Sequence, residues 1–148
     1  MLDGQGLAVS VGNDTAVSAY NKAVTEWLDY KISSMRTLKQ AIELEPDFCI
    51  AHCFRGYLFV TFNSAAVLPA AVASLNKAAA LTGTASEREQ RHVAALRHLL
   101  EGAPNRACAC WDEITADYPH DILALRMHHY TCFWSGYRPV SYTHLTLP

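Results

Sequence analysis

Several things are scarce in this 148-residue chain, and each scarcity narrows the reading. Its five cysteines, Cys49, Cys53, Cys108, Cys110 and Cys132, are odd in number and form no C-x-x-C pair. They read as reduced thiols that fill small spaces in a core. Net charge is −2, with Lys and Arg spread along the chain, so no basic footprint for nucleic acid exists. The longest apolar run, AAVLPAAVA, is too short for a bilayer and contains Pro69, so no membrane span is expected. The opening MLDGQGLAVS has neither the basic start nor the apolar core of a signal peptide, which makes the cytoplasm the expected compartment. There is no G-x-S-x-G, no P-loop and no H-E-x-x-H, and an enzyme is not expected. Strand patterning is missing as well.

What is present is helix. Hydrophobic residues make up 51% and charged residues 18%, a balance that excludes disorder by composition and suits one domain or part of a larger array. Residues 1–12 read as a flexible lead-in. Asn13 or Asp14 caps a first helix to about Tyr30, whose Ala16, Ala19, Tyr20, Ala23, Val24, Trp27 and Leu28 recur at helical spacing. A second helix runs from Ser33 to Leu44 and stops before Pro46. Asp47 is the expected cap of a third, Phe48 to Phe62. Pro69 opens a fourth, to Leu81. Ser86 and Glu89 form a capping box for a fifth, ending near Glu101 before Gly102. Pro104 opens a sixth, to Asp117, and a seventh spans Ile122 to Trp134 with its stop at Gly136.

The even-numbered helices share a pattern. The second carries Ser34, Leu38, Ala41 and Pro46, and the sixth carries Ala107, Trp111, Ile114 and Pro119 at the same spacings. The fourth carries Ala71, Leu75 and Ala78, with Gly83 in place of the proline. A small residue lets two helices approach, a large one fills the groove beside it, and the proline re-aims the chain. In the odd helices Gly56, Phe59 and Ala95 hold the matching small and aromatic positions. Pro46 and Pro119 are separated by two repeats of about 34 residues and a short insertion, placed between Phe62 and Pro69. This resembles the tetratricopeptide repeat, and the alternative is a helical bundle with coincidental spacing. The resemblance implies an all-α solenoid of antiparallel helix pairs, truncated within the fourth repeat, over residues 13–138.

The order of segments narrows the resemblance. GLAVSVGNDTAVSAYNKAV, PDFCIAHCFRGYLF and the stretch from EREQRHVAALRHLL to MHHYTCFWSG are similar to the tetratricopeptide repeat protein 38 family, over about residues 6–138. That resemblance implies a longer helical-repeat parent and carries no catalytic residue onto this chain.

The last residues read differently. VSYTHLTLP, Val140 to Pro148, is the translation of GTC TCT TAT ACA CAT CTG ACG CTG CCG, a string that resembles a transposase adapter used in sequencing libraries. Residues 139–148 are therefore expected to be a non-native tail on an N-terminal fragment, with Pro139 a hybrid codon. Leu123, Leu125, Tyr130, Phe133 and Trp134 would then lose much of their cover.

Candidate sites follow from the repeat. First helices of each pair line the concave face, which makes Cys53, Tyr57, His92, Arg126 and Tyr130 the candidate binding residues for a protein or peptide partner. The alternative for Tyr57 and Tyr130 is packing against the next repeat. No cofactor and no metal are expected; the weak alternative is His128 with Cys132, one turn apart, in company with His120 and His129. Cys108 and Cys110 point to different faces and make a poor chelate. His92, His98, Glu87, Glu89 and Arg91 read either as acid–base parts or as a solvated helix with a Glu87–Arg91 pair, and Trp111 reads as core. The expected function is a protein–protein interaction scaffold; the alternative is a helical enzyme or metal-binding helical domain.

Overall fold

The computed structural model describes residues 1–135, and they fold into seven α-helices with one three-residue 3-10 turn. The helices are α1 (Asp14–Leu28), α2 (Ser34–Leu44), α3 (Cys49–Thr61), α4 (Leu68–Ala80), α5 (Glu87–Leu100), α6 (Pro104–Asp117) and α7 (Ile122–Ser135). The 3-10 turn, Ala65–Val67, lies between Phe62 and Pro69, the segment in which an insertion is expected. Among the described residues there is no strand, only an isolated bridge between Leu2 and Ala8. No helix among them is long and apolar enough to cross a membrane. The expected stop at Gly136, the tail at 139–148 and the side chain of Trp134 lie outside the described residues.

Helices pack closely in sequential pairs, α1 with α2, α3 with α4 and α5 with α6, while α7 closes on α6 and α3 meets α5 across pairs. The small–large–small positions account for the packing. Ser34, Leu38, Ala41, Ala71, Leu75, Ala78, Ala107, Trp111 and Ile114 are all buried. Gly56 shows why its position is small: a Cβ there would stand 2.5 Å from Leu96 Cδ2. The methyl is missing so that α3 and α5 can touch.

Helix ends follow local chemistry. Asn13 accepts from the Ala16 N–H, and Ser86 and Glu89 make the capping box reciprocally. The expected cap at Asp47 is corrected: α3 begins beyond Phe48, and no side chain caps it. His52 instead donates its Nε2–H to the Pro46 carbonyl at 2.7 Å, which ties the first turn of α3 back to the proline.

Helices α1, α3 and α5 each end in a residue of left-handed backbone: Tyr30 (φ 59°), Asn63 (φ 51°) and Gly102 (φ 78°). At α5 the Gly102 N–H bonds the Leu99 carbonyl and the Ala103 N–H bonds the His98 carbonyl, the paired closure that glycine favours. Helix α1 makes the same closure, Tyr30 to Trp27 and Lys31 to Glu26, with a tyrosine in the glycine position.

The lead-in reading of residues 1–12 is also corrected. Asp3 accepts the backbone N–H groups of Gln5 and Leu7, and the Val9 N–H bonds the Met1 carbonyl, so the segment closes into a loop. The loop is anchored at both sides. Gly4 N–H donates to Asn21 on α1, the Ser10 hydroxyl bonds Glu89 on α5, and Arg88 reaches the Ala8 carbonyl at 3.3 Å. Val9 and Asp3 are buried. Such hydrogen bonds and buried side chains, on a stretch with no helical period, are invisible to periodicity, which explains the misreading.

Candidate functional site

Three of the five candidate binding residues are not on a surface. Cys53, Tyr57 and His92 are each 0% exposed, which corrects their placement on an open face. Their side chains lie between helices, so Tyr57 follows the packing alternative. The Tyr57 hydroxyl meets His92 Nδ1 at 2.8 Å and accepts the Trp111 indole N–H at 3.1 Å. His92 Nε2 donates to Asp121 Oδ2 at 2.8 Å, and the same oxygen takes Arg88 at 2.9 Å. The other Asp121 oxygen accepts the Ala124 N–H and so begins α7.

This chain of polar groups links α3, α5, α6 and α7 inside the core. Burial lifts the Asp121 carboxyl, but His92 and Arg88 outweigh it and hold the group well below the usual carboxylate range. Burial also pushes Tyr57 and Cys53 well above their ordinary values, so both stay neutral. An aspartate–histidine–tyrosine series resembles acid–base machinery; here it is buried, and its members satisfy one another's polar groups. On α5, the two readings divide between residues. Glu87 and Arg91 form the exposed pair at 2.8 Å, extended by Asp117 at 2.6 Å, while Glu89 and His92 are buried. Trp111 is core, 0% exposed.

Arg126 and Tyr130 do line an open feature. A cavity of about 590 Å³ lies where α1, α3 and α7 come together, bordered by Trp27, Tyr30, Met35, Phe62, Arg126 and Tyr130, with Lys31 and Ile32 on its rim. The Arg126 guanidinium lies 4.8 Å from the Tyr30 ring and 5.6 Å from the Trp27 ring, within cation–π range. Tyr130 donates its hydroxyl to the Thr61 carbonyl at 3.1 Å, fastening α7 to the end of α3. Tyr30 is 83% exposed and Ile32 95% exposed, so apolar surface is held open to solvent here. The lining has two cations and no carboxylate. Sequence reasoning missed Tyr30, Ile32 and Phe62, because exposed apolar residues at helix ends break no periodic pattern; an unglycinated helix stop at Tyr30 was the available signal.

A third group lies between α6 and α7. Cys108, His128 and Cys132 place one ligand atom each within 4.8 Å of one another. His128 Nε2 also stands 3.1 Å from Asp112 Oδ1. Burial pushes His128 down, toward the neutral ring, against the pull of Asp112. Burial and the neighbouring Cys132 push the Cys108 thiol up, and burial pushes Cys49 up to about 12. The pair His128–Cys132 is as the sequence spaces it; Cys108 and Asp112 join from the other helix, which no local spacing could reveal. Cys110, two residues from Cys108, belongs to a different face, as expected.

On α7, Leu123 is buried, contrary to the expected loss of cover, whereas Leu125 is 43% and Phe133 77% exposed. Leu123 belongs to the main hydrophobic cluster. No family model matches this chain, and no solved structure matches it.

Proposed function

We propose that this chain is the helical-repeat part of a scaffold, of the tetratricopeptide type and similar to the tetratricopeptide repeat protein 38 family, that holds a segment of another protein. The segment docks in the cavity bordered by α1, α3 and α7. The observation that carries this reading is Tyr30. A bulky residue in left-handed backbone costs on the order of 1 kcal/mol or more, and such strain collects where function needs it. The equivalent end of α5 uses Gly102 and avoids that cost. Tyr30 accepts it and thereby places an exposed ring at the mouth of an apolar cavity, under a guanidinium.

The chemistry of the lining defines the ligand. Trp27, Met35 and Phe62 suit an apolar or aromatic side chain, and Arg126 with Lys31 suit acidic neighbours. An acidic peptide with an apolar anchor fits both. Selection of a displayed random-peptide library on the chain tests this. Selected peptides are expected to carry an aromatic or large aliphatic residue beside Asp or Glu. Their binding is expected to fall at least about tenfold, roughly 1.4 kcal/mol, in Tyr30→Gly and Arg126→Ala. Tyr30→Gly keeps or raises the melting temperature, so loss of binding there is not loss of fold. Peptides that bind both variants as well as the parent sequence would overturn the assignment.

A further inference from the structure

Helices α6 and α7 each bring two side chains, one turn apart, to their common boundary: Cys108 and Asp112 from one, His128 and Cys132 from the other. The distances are specific. Cys108 Sγ and Cys132 Sγ are 3.7 Å apart, and Cys132 Sγ is 3.7 Å from His128 Nδ1. A tetrahedral zinc ion with Zn–S about 2.3 Å and Zn–N about 2.0–2.1 Å requires ligand separations of about 3.8 Å for S···S and about 3.6 Å for S···N. Two edges of the coordination polyhedron are therefore already set. The third, from Cys108 to His128, lies within 4.8 Å and closes with a side-chain movement on the order of 1 Å.

Cys132 Sγ lies 3.7 Å from His128 Nδ1 and 3.9 Å from Nε2, and Nε2 is also 3.1 Å from the Asp112 carboxylate, which leaves Nδ1 as the nitrogen for an ion. Metal-bound imidazoles commonly donate their other N–H to a carboxylate, which fixes the tautomer and raises ligand basicity. We propose that Cys108, Cys132 and Nδ1 of His128 form a zinc site, with Asp112 as the carboxylate behind the histidine. Two thiolates and an imidazole select a thiophilic ion over magnesium or calcium.

The proton count balances. Binding breaks two S–H bonds, and both protons leave to solvent as two Zn–S bonds form. Nδ1 contributes its lone pair, and Nε2 keeps its hydrogen and donates it to Asp112. The ion would staple α7 to α6, and α7 carries Arg126 and Tyr130, so the staple also steadies one wall of the cavity. The zinc site stands whether or not that cavity binds a peptide.

Titration of the reduced 148-residue chain with Co²⁺ alone, then Zn²⁺, tests the site. One equivalent of cobalt is expected to give thiolate-to-metal charge-transfer absorption and the intense visible bands of a tetrahedral ion, both erased by one equivalent of zinc. Cys108→Ser and Cys132→Ser are each expected to weaken binding by about 100-fold or more, and Asp112→Asn by about 10–100-fold. Cys110→Ser is expected to leave the spectrum unchanged. Absence of the charge-transfer band, or its persistence in both Cys108→Ser and Cys132→Ser, overturns the site. An unchanged affinity in Asp112→Asn overturns the role of the carboxylate. Zinc-edge X-ray absorption of the unsubstituted chain needs no variant to fold: two sulfur neighbours and one imidazole support the assignment, and any other protein ligand set overturns it.

Discussion

The Trp111 indole and the Tyr57 phenol meet edge to face, with ring centroids 5.8 Å apart, planes at 72° and a direct N–H···O bond of 3.1 Å. One contact joins α3 to α6 by both quadrupole and hydrogen bond, at a point where neither ring reaches water.

Tyr57→Phe keeps the packing and removes the oxygen, stranding the Trp111 N–H and the His92 ring nitrogen. Its cost is expected at about 1–3 kcal/mol for each group left unsatisfied. Trp111→Ala removes the packing too and is expected to cost about 3–5 kcal/mol. Urea unfolding of the two variants checks the order. A Trp111→Ala chain as stable as the parent would remove this residue from the core.

Asp121 makes the fold sensitive to acid. Its native value is depressed, so between that value and about 3.9 the unfolded chain binds more protons than the native one. Stability from this group is complete above the unfolded value and is lost as pH falls toward the native one. Asp121→Asn is expected to flatten the acid limb of the stability–pH curve. At neutral pH it should cost about 3–5 kcal/mol, because Arg88 remains buried without its closest charge partner. Thermal melts at stepped pH values measure both effects, and parallel acid limbs would refute the assignment.

Much of this was legible before any coordinates. Helix starts at Asn13, Ser86 and Pro104 are local events, set by one side chain against a few backbone groups, and the sequence shows them directly. The small–large–small series also reads directly, because burial imposes a period. The site was less legible for a physical reason. Cys108 meets Cys132 through the packing of α6 on α7, and Arg126 meets Tyr30 across a much longer stretch of chain. Nothing in local spacing encodes those meetings. The burial of Cys53, Tyr57 and His92 was hidden likewise, since it comes from the packing of α3 on α5 and α6.

Gly56 and Leu96 provide a test of close approach. Gly56→Ala adds a methyl 2.5 Å from Leu96 Cδ2. Overpacking of about 1–3 kcal/mol then opposes a gain of about 1 kcal/mol in helix propensity. Net destabilisation of about 0–2 kcal/mol is expected by this sum. In a Leu96→Ala background the same change is expected to stabilise. A double-mutant cycle measures the coupling, and strict additivity would mean that the two residues do not constrain each other.

Ser10 and Glu89 test the docking of the N-terminal loop. Glu89 is 0% exposed, and the Ser10 hydroxyl is one of its donors. Ser10→Ala is expected to cost about 1–3 kcal/mol, as a buried carboxylate loses a partner. Hydrogen exchange at Val9 and Gly4 should rise in the same variant, because their loop is released. Unchanged exchange at both positions would show that the loop holds without this bond.

That loop has a kinetic consequence. Beside its bond to Asn21 on α1, its contacts with Ser86, Arg88 and Glu89 span 76 to 80 residues of chain, so that part of its docking waits for α5. Closure of residues 1–12 on α5 thus rests on contacts far apart in sequence and belongs to the late steps of folding.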